Sequence, residues 1–539
     1  MASPAPPAAF GALIEHNLRC LAARQYCLVM ELVVKGTQKV GGWARLAAGF
    51  WPALIGLAFA HPNSAAELVI EQVTVVSPQQ AAAQPKQNVL IRDGRIVSVG
   101  TKRVNAAAGA LRIDGRGKFL TPGLMDSHVH VGDVPGFPLA ADSDPVMSSM
   151  HATYTRQQPR SYLYYGVTQV LNLLSSSEGA AAFEAQPQHP DLFRCAAAVG
   201  LDGYPSVFIE DPVIRRQALP DYIFEPANAA KHPLPAGADA AQHTPEAIIG
   251  KLAASGVRCI KIFIEDGFGP ASDWPIMSKE TLQRVRAETR KRGLLLIAHA
   301  NAIDMQRIAV EAQVDVIAHG LWNWNEYSTD RGVPPAIATH LREIHAKKIG
   351  YQPTLRVIAG LADLFREDTL KDPAYKKVVP PALLEWYETP AGQWFKGTMR
   401  EGMGGMPDMK AMHTYMVIGS YGMRATEYLS DLGHPLLLGS DTPPAPTFGS
   451  QPGYDTYREM RMMAQSGVPL PAIFRAGTIN NARQFGLDKD YGTVEAGKVA
   501  NLLLLTENPL LTMRAWTSID RVILHGSVIK RESLAAPRE

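Results

Sequence analysis

The sequence predicts an α/β chain: a (β/α)8 TIM-like barrel with a small β-sandwich domain built from both ends of the mature chain. Three observations carry this. Between residues 121 and 484, apolar runs of strand length alternate with helix-like stretches, as a parallel βα architecture requires, and eight such runs can be counted. Five of the runs end in groups able to bind a cation: the His128/His130 pair, Lys261, His299, His319 and Asp441. Barrels of this kind keep their chemistry at the C-terminal strand ends. The flanking segments, 67–120 and 485–539, read instead as short strands separated by turn residues.

The first 66 residues differ from the rest. Lys35, Lys39 and Arg45 precede an apolar stretch from Leu46 to Ala60 that closes on Ala58-Phe59-Ala60, with a second small-residue site at Ser64-Ala65-Ala66. A basic flank, a short apolar core and a small-residue cleavage site describe an export signal. Pro52 interrupts the core, which is shorter than the ~20 residues a membrane span needs. We therefore expect a leader over 1–66, with translation starting at Met30, and a periplasmic or secreted enzyme with no stable membrane span once the leader is removed. A leader that stays attached as an anchor is the alternative. Cys20 and Cys27 leave with the leader, and Cys195 and Cys259 are expected to be two buried thiols.

From Glu67 the strands begin: Leu68–Val76, then Asn88–Arg92 and Arg95–Val99 around Asp93-Gly94, a strong hairpin signal. At the far end Asn501–Leu505 and Ile519–Leu524 repeat the pattern. The eight barrel runs are Leu124–His130, Gly166–Leu173, Arg194–Gly200, Cys259–Phe263, Leu296–His299, Val316–His319, Gly350–Arg356 and Leu437–Asp441. Two long connections, 201–245 and 360–415, are of the length that lids and substrate-binding loops have. The glycines in Glu401–Met406 are too irregular for a phosphate loop. A formal net charge of +2 leaves no electrostatic footprint for nucleic acid, and the expected partner is a small-molecule substrate. A homo-oligomer is compatible with the sequence.

His128 and His130 are two apart on a strand, so both imidazoles project from one face toward one cation. A lone buried histidine is usually a satisfied core residue, but five strand ends with metal-competent groups are hard to explain by packing. Four imidazoles and one carboxylate supply too few anions for two divalent cations. Lys261, pointing into the barrel beside cations, would be repelled and desolvated, and so would lose its proton easily. The neutral amine can take up carbon dioxide as a carbamate, an anion able to bridge two metals. An outward Lys261, or one paired with Glu265 or Asp266, is the alternative.

Here the chain resembles the amidohydrolase superfamily, in the binuclear branch near imidazolonepropionase-related hydrolases and prolidase-like carboxypeptidases. The resemblance rests on Thr121–His130, Ile260-Lys261-Ile262, the His299/His319 spacing, Gly439–Thr442 and Gly492–Leu502. It implies that His128, His130 and Asp441 hold one metal, His299 and His319 the other, with carboxylated Lys261 between. Nitrogen ligands with two anionic oxygens suit two zinc ions, with manganese or cobalt as alternatives. A hydroxide held between two cations is nucleophilic near neutral pH, and Asp441 is the expected catalytic base and acid.

These features predict hydrolysis of an amide-type C–N bond, in a dipeptide, an N-acyl amino acid or a cyclic amide. A mononuclear deaminase or imidazolone-type hydrolase, or a non-catalytic interaction barrel, is the competing reading. Prolidase-like relatives often carry an aromatic where this chain has Ala300-Asn301-Ala302. Arg356, His151 and Asn301 are the candidate substrate-binding residues; Arg356 could clamp a carboxylate or form an inter-helix ion pair. Tyr165, His413 and Tyr415 are weaker candidates, His434 reads as structural, and His232 and His243 have no readable role.

Overall fold

The computed structural model describes residues 67–138, 145–174, 176–209, 211–268 and 273–537. The expected leader lies outside them. The first strands are β1 (Leu68–Val75), β2 (Gln84–Arg92), β3 (Arg95–Gly100), β4 (Leu111–Asp114) and β5 (Phe119–Pro122). The hairpin forms as expected: Arg92 pairs with Arg95, and Asp93 (φ 50°) and Gly94 (φ 72°) are both left-handed, as a two-residue turn matched to strand twist requires.

The barrel strands follow: β6 (Leu124–Val129), β7 (Val167–Asn172), β8 (Asp191–Gly200), β9 (Tyr222–Ile223), β10 (Cys259–Phe263), β11 (Leu295–His299), β12 (Val316–Ala318) and β13 (Gly350–Gln352). They pair in the order β6-β7-β8-β10-β11-β12-β13, all parallel, with the short β9 beside β8. Every residue of β6, β7 and β10 is buried, the polar ones among them, such as His128 and Lys261, included.

The expected eighth strand is not a regular one. Residues 437–442 run between β13 and β6 and close the barrel by backbone hydrogen bonds. Leu437 donates to Tyr351 (3.0 Å), while Leu438 accepts from Ser127 (2.9 Å), and Asp441 donates to His128 (2.7 Å). Asp441 has φ 55°, outside the extended region, so the pleat cannot continue through it. A Cβ on Gly439 would lie 2.8 Å from the His128 Cβ, so only glycine lets this segment approach β6. The seventh strand is also shorter than expected: it stops at Gln352, and Arg356 begins the helix Arg356–Asp363.

The chain then returns to the first sheet with β14 (Leu502–Leu505), β15 (Ile519–Leu524) and β16 (Ser527–Lys530). The order is β16-β15-β14-β5-β1-β2-β3, with β4 also on β1. The expected sandwich is thus one continuous sheet. A register shift between Ile70 and Val73 lets β1 leave β4 and pair with β5. Ile70, Val75, Ile91, Leu120, Leu502 and Leu504 share a core separate from that of the barrel.

The cysteines depart from expectation. Cys195 on β8 lies opposite Cys259 on β10, their Cα atoms 4.5 Å apart, and the two sulfurs form a disulfide instead of free thiols. Among the described residues no helix is long and apolar enough to cross a membrane.

Candidate metal centre

The metal-competent side chains converge at the C-terminal mouth of the barrel, where the strand ends deliver them. On β6, His128 is fully buried, and its Nε2 lies 2.8 Å from Asp441 Oδ1 and 3.0 Å from Lys261 Nζ. Just past the same strand, His130 Nε2 is also 2.8 Å from Asp441 Oδ1. Its Nδ1 is 2.7 Å from the Leu174 carbonyl, which can only accept, so Nδ1 carries a hydrogen and, in the neutral ring, Nε2 presents the lone pair. In neutral His130, lone pairs on Nε2 and on a carboxylate oxygen at this distance need a cation beside them.

Below this face, buried Asp126 braces the seam. Its carboxylate accepts the backbone N–H groups of His128 (3.2 Å) and Ser440 (3.0 Å) and the Thr456 hydroxyl (2.6 Å), which fixes β6 against the closing segment. Burial pushes its carboxyl up to about 6.

His299 ends β11, and His319 follows β12 with φ 83°; their ring centroids are 4.5 Å apart. His319 Nδ1 lies 3.2 Å from Thr354 Oγ1, and its buried Nε2 has no partner. Left-handed backbone at both His319 and Asp441 is costly for side chains with a Cβ, and such conformations cluster where geometry serves a site.

Charge follows burial. Desolvation lowers His128 to about 4 and holds His299 and His319 well below the usual imidazole range, so all three present neutral nitrogens. Asp441 is held well below the usual carboxylate range: burial opposes its ionisation, while His128 and His319 favour it whenever they carry the proton, as do its ring hydrogen bonds with His128 and His130. Desolvation brings the Lys261 amine down to about 8.

One ligand atom each from His128, His319 and Asp441 lie within 4.8 Å of one another. Neutral imidazoles, an ionised carboxylate and the unpartnered His319 Nε2 suit divalent cations of zinc type. The donor set fits.

The substrate-side candidates divide. Asn301 belongs to this cluster, its Nδ2 3.0 Å from His299 Nε2. Arg356 does not: it is buried and held by Asp363 at the far end of its own helix (2.6 Å) and by the Gly449 carbonyl (3.1 Å), and its inter-helix ion pair is with Asp455 of the helix Tyr454–Gln465 (3.4 Å). His151 lies on the helix Pro145–Tyr164 and acts electrostatically on Asp133. His434 packs against His345, ring centroids 5.7 Å apart.

The sequence singled out neither Tyr204, whose ring centroid is 4.5 Å from that of His299, nor Glu265 as a site residue. Glu265 is buried, with Oε2 3.3 Å from His299 Nε2, and desolvation with nearby Asp266 pushes its carboxyl up to about 9. Two-residue spacing beyond Lys261 and Phe263 was its only signal.

Residues 414–529 match the sequence model of the amidohydrolase family. A dihydroorotase from Pelotomaculum thermopropionicum is 44% identical over 71 residues, a stretch that spans 13% of this chain and only 16% of that protein. Two solved structures resemble most of the chain. A Xaa-Pro dipeptidase superposes with a TM-score of 0.61 at 16% identity, covering 86% of this chain and 100% of its own. Molinate hydrolase does so with a TM-score of 0.61 at 18% identity, covering 88% and 98%. The resemblance to the amidohydrolase superfamily drawn from the strand-end motifs therefore holds, in sequence over residues 414–529 and in fold over most of the chain.

Proposed function

We propose that this chain is a metal-dependent hydrolase that cleaves an amide-type C–N bond in a small molecule: a dipeptide, an N-acyl amino acid or a cyclic amide. The observation that carries the reading is the meeting of His128 Nε2 and His130 Nε2 at Asp441, with Lys261 Nζ against His128 Nε2, at the barrel mouth. His128, His130 and Asp441 would hold one divalent ion and His299 and His319 a second, with Lys261 between them as its carbamate. A buried amine brought down to about 8 has an appreciable neutral fraction, which adds to carbon dioxide and releases a proton.

When bound, such ions supply a hydroxide nucleophile near neutral pH and polarise the scissile carbonyl. The protein's own part is to place and move protons. Leu174 fixes the His130 tautomer, and Asp126 fixes the backbone on which His128 and Ser440 stand. Asp441 takes the nucleophile's proton on one oxygen and returns it to the leaving nitrogen. Tyr204 and the buried barrel wall limit water around His299.

The grouping of His128, His319 and Asp441, which could serve a single ion, supports the second reading, a mononuclear deaminase or imidazolone-type hydrolase. Counting ions per chain separates the two. The first reading is tested by screening dipeptides and N-acyl amino acids with zinc-loaded and chelator-stripped protein; no metal-dependent cleavage of any amide would sink it.

We place the mature enzyme outside the cytoplasm. The basic flank and apolar core before Ala60 support this, as does the Cys195–Cys259 disulfide, a bond that persists in oxidising compartments.

A further inference from the structure

We propose that Glu265 is an additional anionic ligand, binding the ion held by His299 and His319. This inference rests on the two-ion reading above. Glu265 is 2% exposed, and its Oε2 has no hydrogen-bond partner. Among the described residues its only ion-pair neighbour is His299, at 3.3 Å between Nε2 and Oε2. Among the described residues no lysine or arginine forms an ion pair with it, and the charges that act on it include those of Asp266 and Asp304, both negative. A carboxyl buried without a counter-ion keeps its proton, and a cation beside it lets it ionise, which is why buried carboxylates are paired or coordinate metal.

The geometry agrees. Two donors each about 2.0–2.2 Å from one ion are separated by roughly 3.3 Å at ordinary bond angles. His299 and Glu265 stand at that separation without an ion to draw them together. The backbone explains why. Ile264 N–H donates to the His299 carbonyl (2.9 Å), so the pairing of β10 with β11 continues past Phe263. Lys261, Phe263 and Glu265 then share one face. Asn301 hydrogen-bonds the carboxylate through backbone and side chain, which aims the group while leaving Oε2 unused.

Charge also closes. Two divalent ions exceed Asp441, a Lys261 carbamate and one hydroxide by a single positive charge, and Glu265 removes it.

The test is to strip the full chain with chelator, reload it with zinc and measure ions per chain by elemental analysis, for the natural protein, Glu265→Gln and Glu265→Asp. We expect about two ions in the natural chain and about one in Glu265→Gln, with the second site at least ~10-fold weaker. Glu265→Asp should recover part of the loss. Cobalt-loaded protein supplies a further readout, since losing an oxygen ligand changes its visible spectrum. Two tightly held ions in Glu265→Gln would overturn this proposal alone. So would weaker binding with an unchanged cobalt spectrum, because Glu265 would then only orient His299. Loss of both ions and of native circular dichroism in both variants would mark a structural role and overturn it too. Fewer than two ions in the natural chain would overturn the two-ion reading beneath it.

Discussion

At His130 the Leu174 carbonyl fixes one ring nitrogen as a donor and turns the other toward Asp441. That contact makes Asp441 the residue whose loss is most informative. Asp441→Asn keeps the shape but removes the basic oxygen, and the rate of chemistry should fall at least ~10²-fold. Zinc content should fall less than in His128→Ala, because the amide oxygen still coordinates weakly. Single-turnover rates with metal analysis check both; near-normal turnover with metal bound would assign the base elsewhere. His128, His130, Lys261, His299, His319 and Asp441 were legible because each ends an apolar run, and strand period fixes the face of neighbours. Arg356 was not, since the sequence read it as the end of a strand, whereas it begins a helix whose last residue, Asp363, is its partner. Glu265 escaped because a lone acid after a strand has the same signature as a solvated loop residue.

Among the elements, β8 and β10 are joined by more than their ladder. Cys195 and Cys259 became legible as a pair only with the register, which depends on the barrel closing and on no local signal. The closing segment 437–442 was hidden for a similar reason: its apolar residues read as a strand, while the left-handed Asp441 shows only in the backbone. The disulfide sits on the strand that carries Lys261, so it stabilises the scaffold of the site. Replacing both cysteines with serine should cost about 2–4 kcal/mol, the usual scale for a cross-link over a long loop. Denaturant unfolding with and without reductant measures it. Equal stability of the variant and the oxidised natural chain would remove the disulfide from any structural role.

On the scale of the whole molecule, sheet and barrel are clamped at Asp191, the first residue of β8. Its carboxylate accepts from the Asn501 side chain (2.7 Å) and pairs with His525 (2.7 Å) in the turn between β15 and β16. The hydrogen bond to Asp191 raises the His525 pKa above its ordinary value. A raised histidine contributes its full stability below about pH 6.5 and loses it as pH rises through the folded value. The natural chain should therefore be more stable than His525→Gln under mildly acidic conditions, with the gap closing under alkaline ones; thermal unfolding across pH checks this. At the other terminus, protein purified from its native host should begin near Glu67, and N-terminal sequencing that finds Met1 or Met30 would refute leader cleavage. The segment order legible from the sequence, strands at both ends around an alternating middle, also has a temporal meaning. Pro122 pairs with Leu502, and His130 meets Asp441 across the seam where the barrel's first strand joins its last segment. Neither union can form until almost the whole polypeptide is available. A chain delivered through a membrane pore from its front end would thus stay open until its tail arrives. A stalled or clipped product ending before residue 441 would hold no reactive centre, so activity itself reports that synthesis passed that residue.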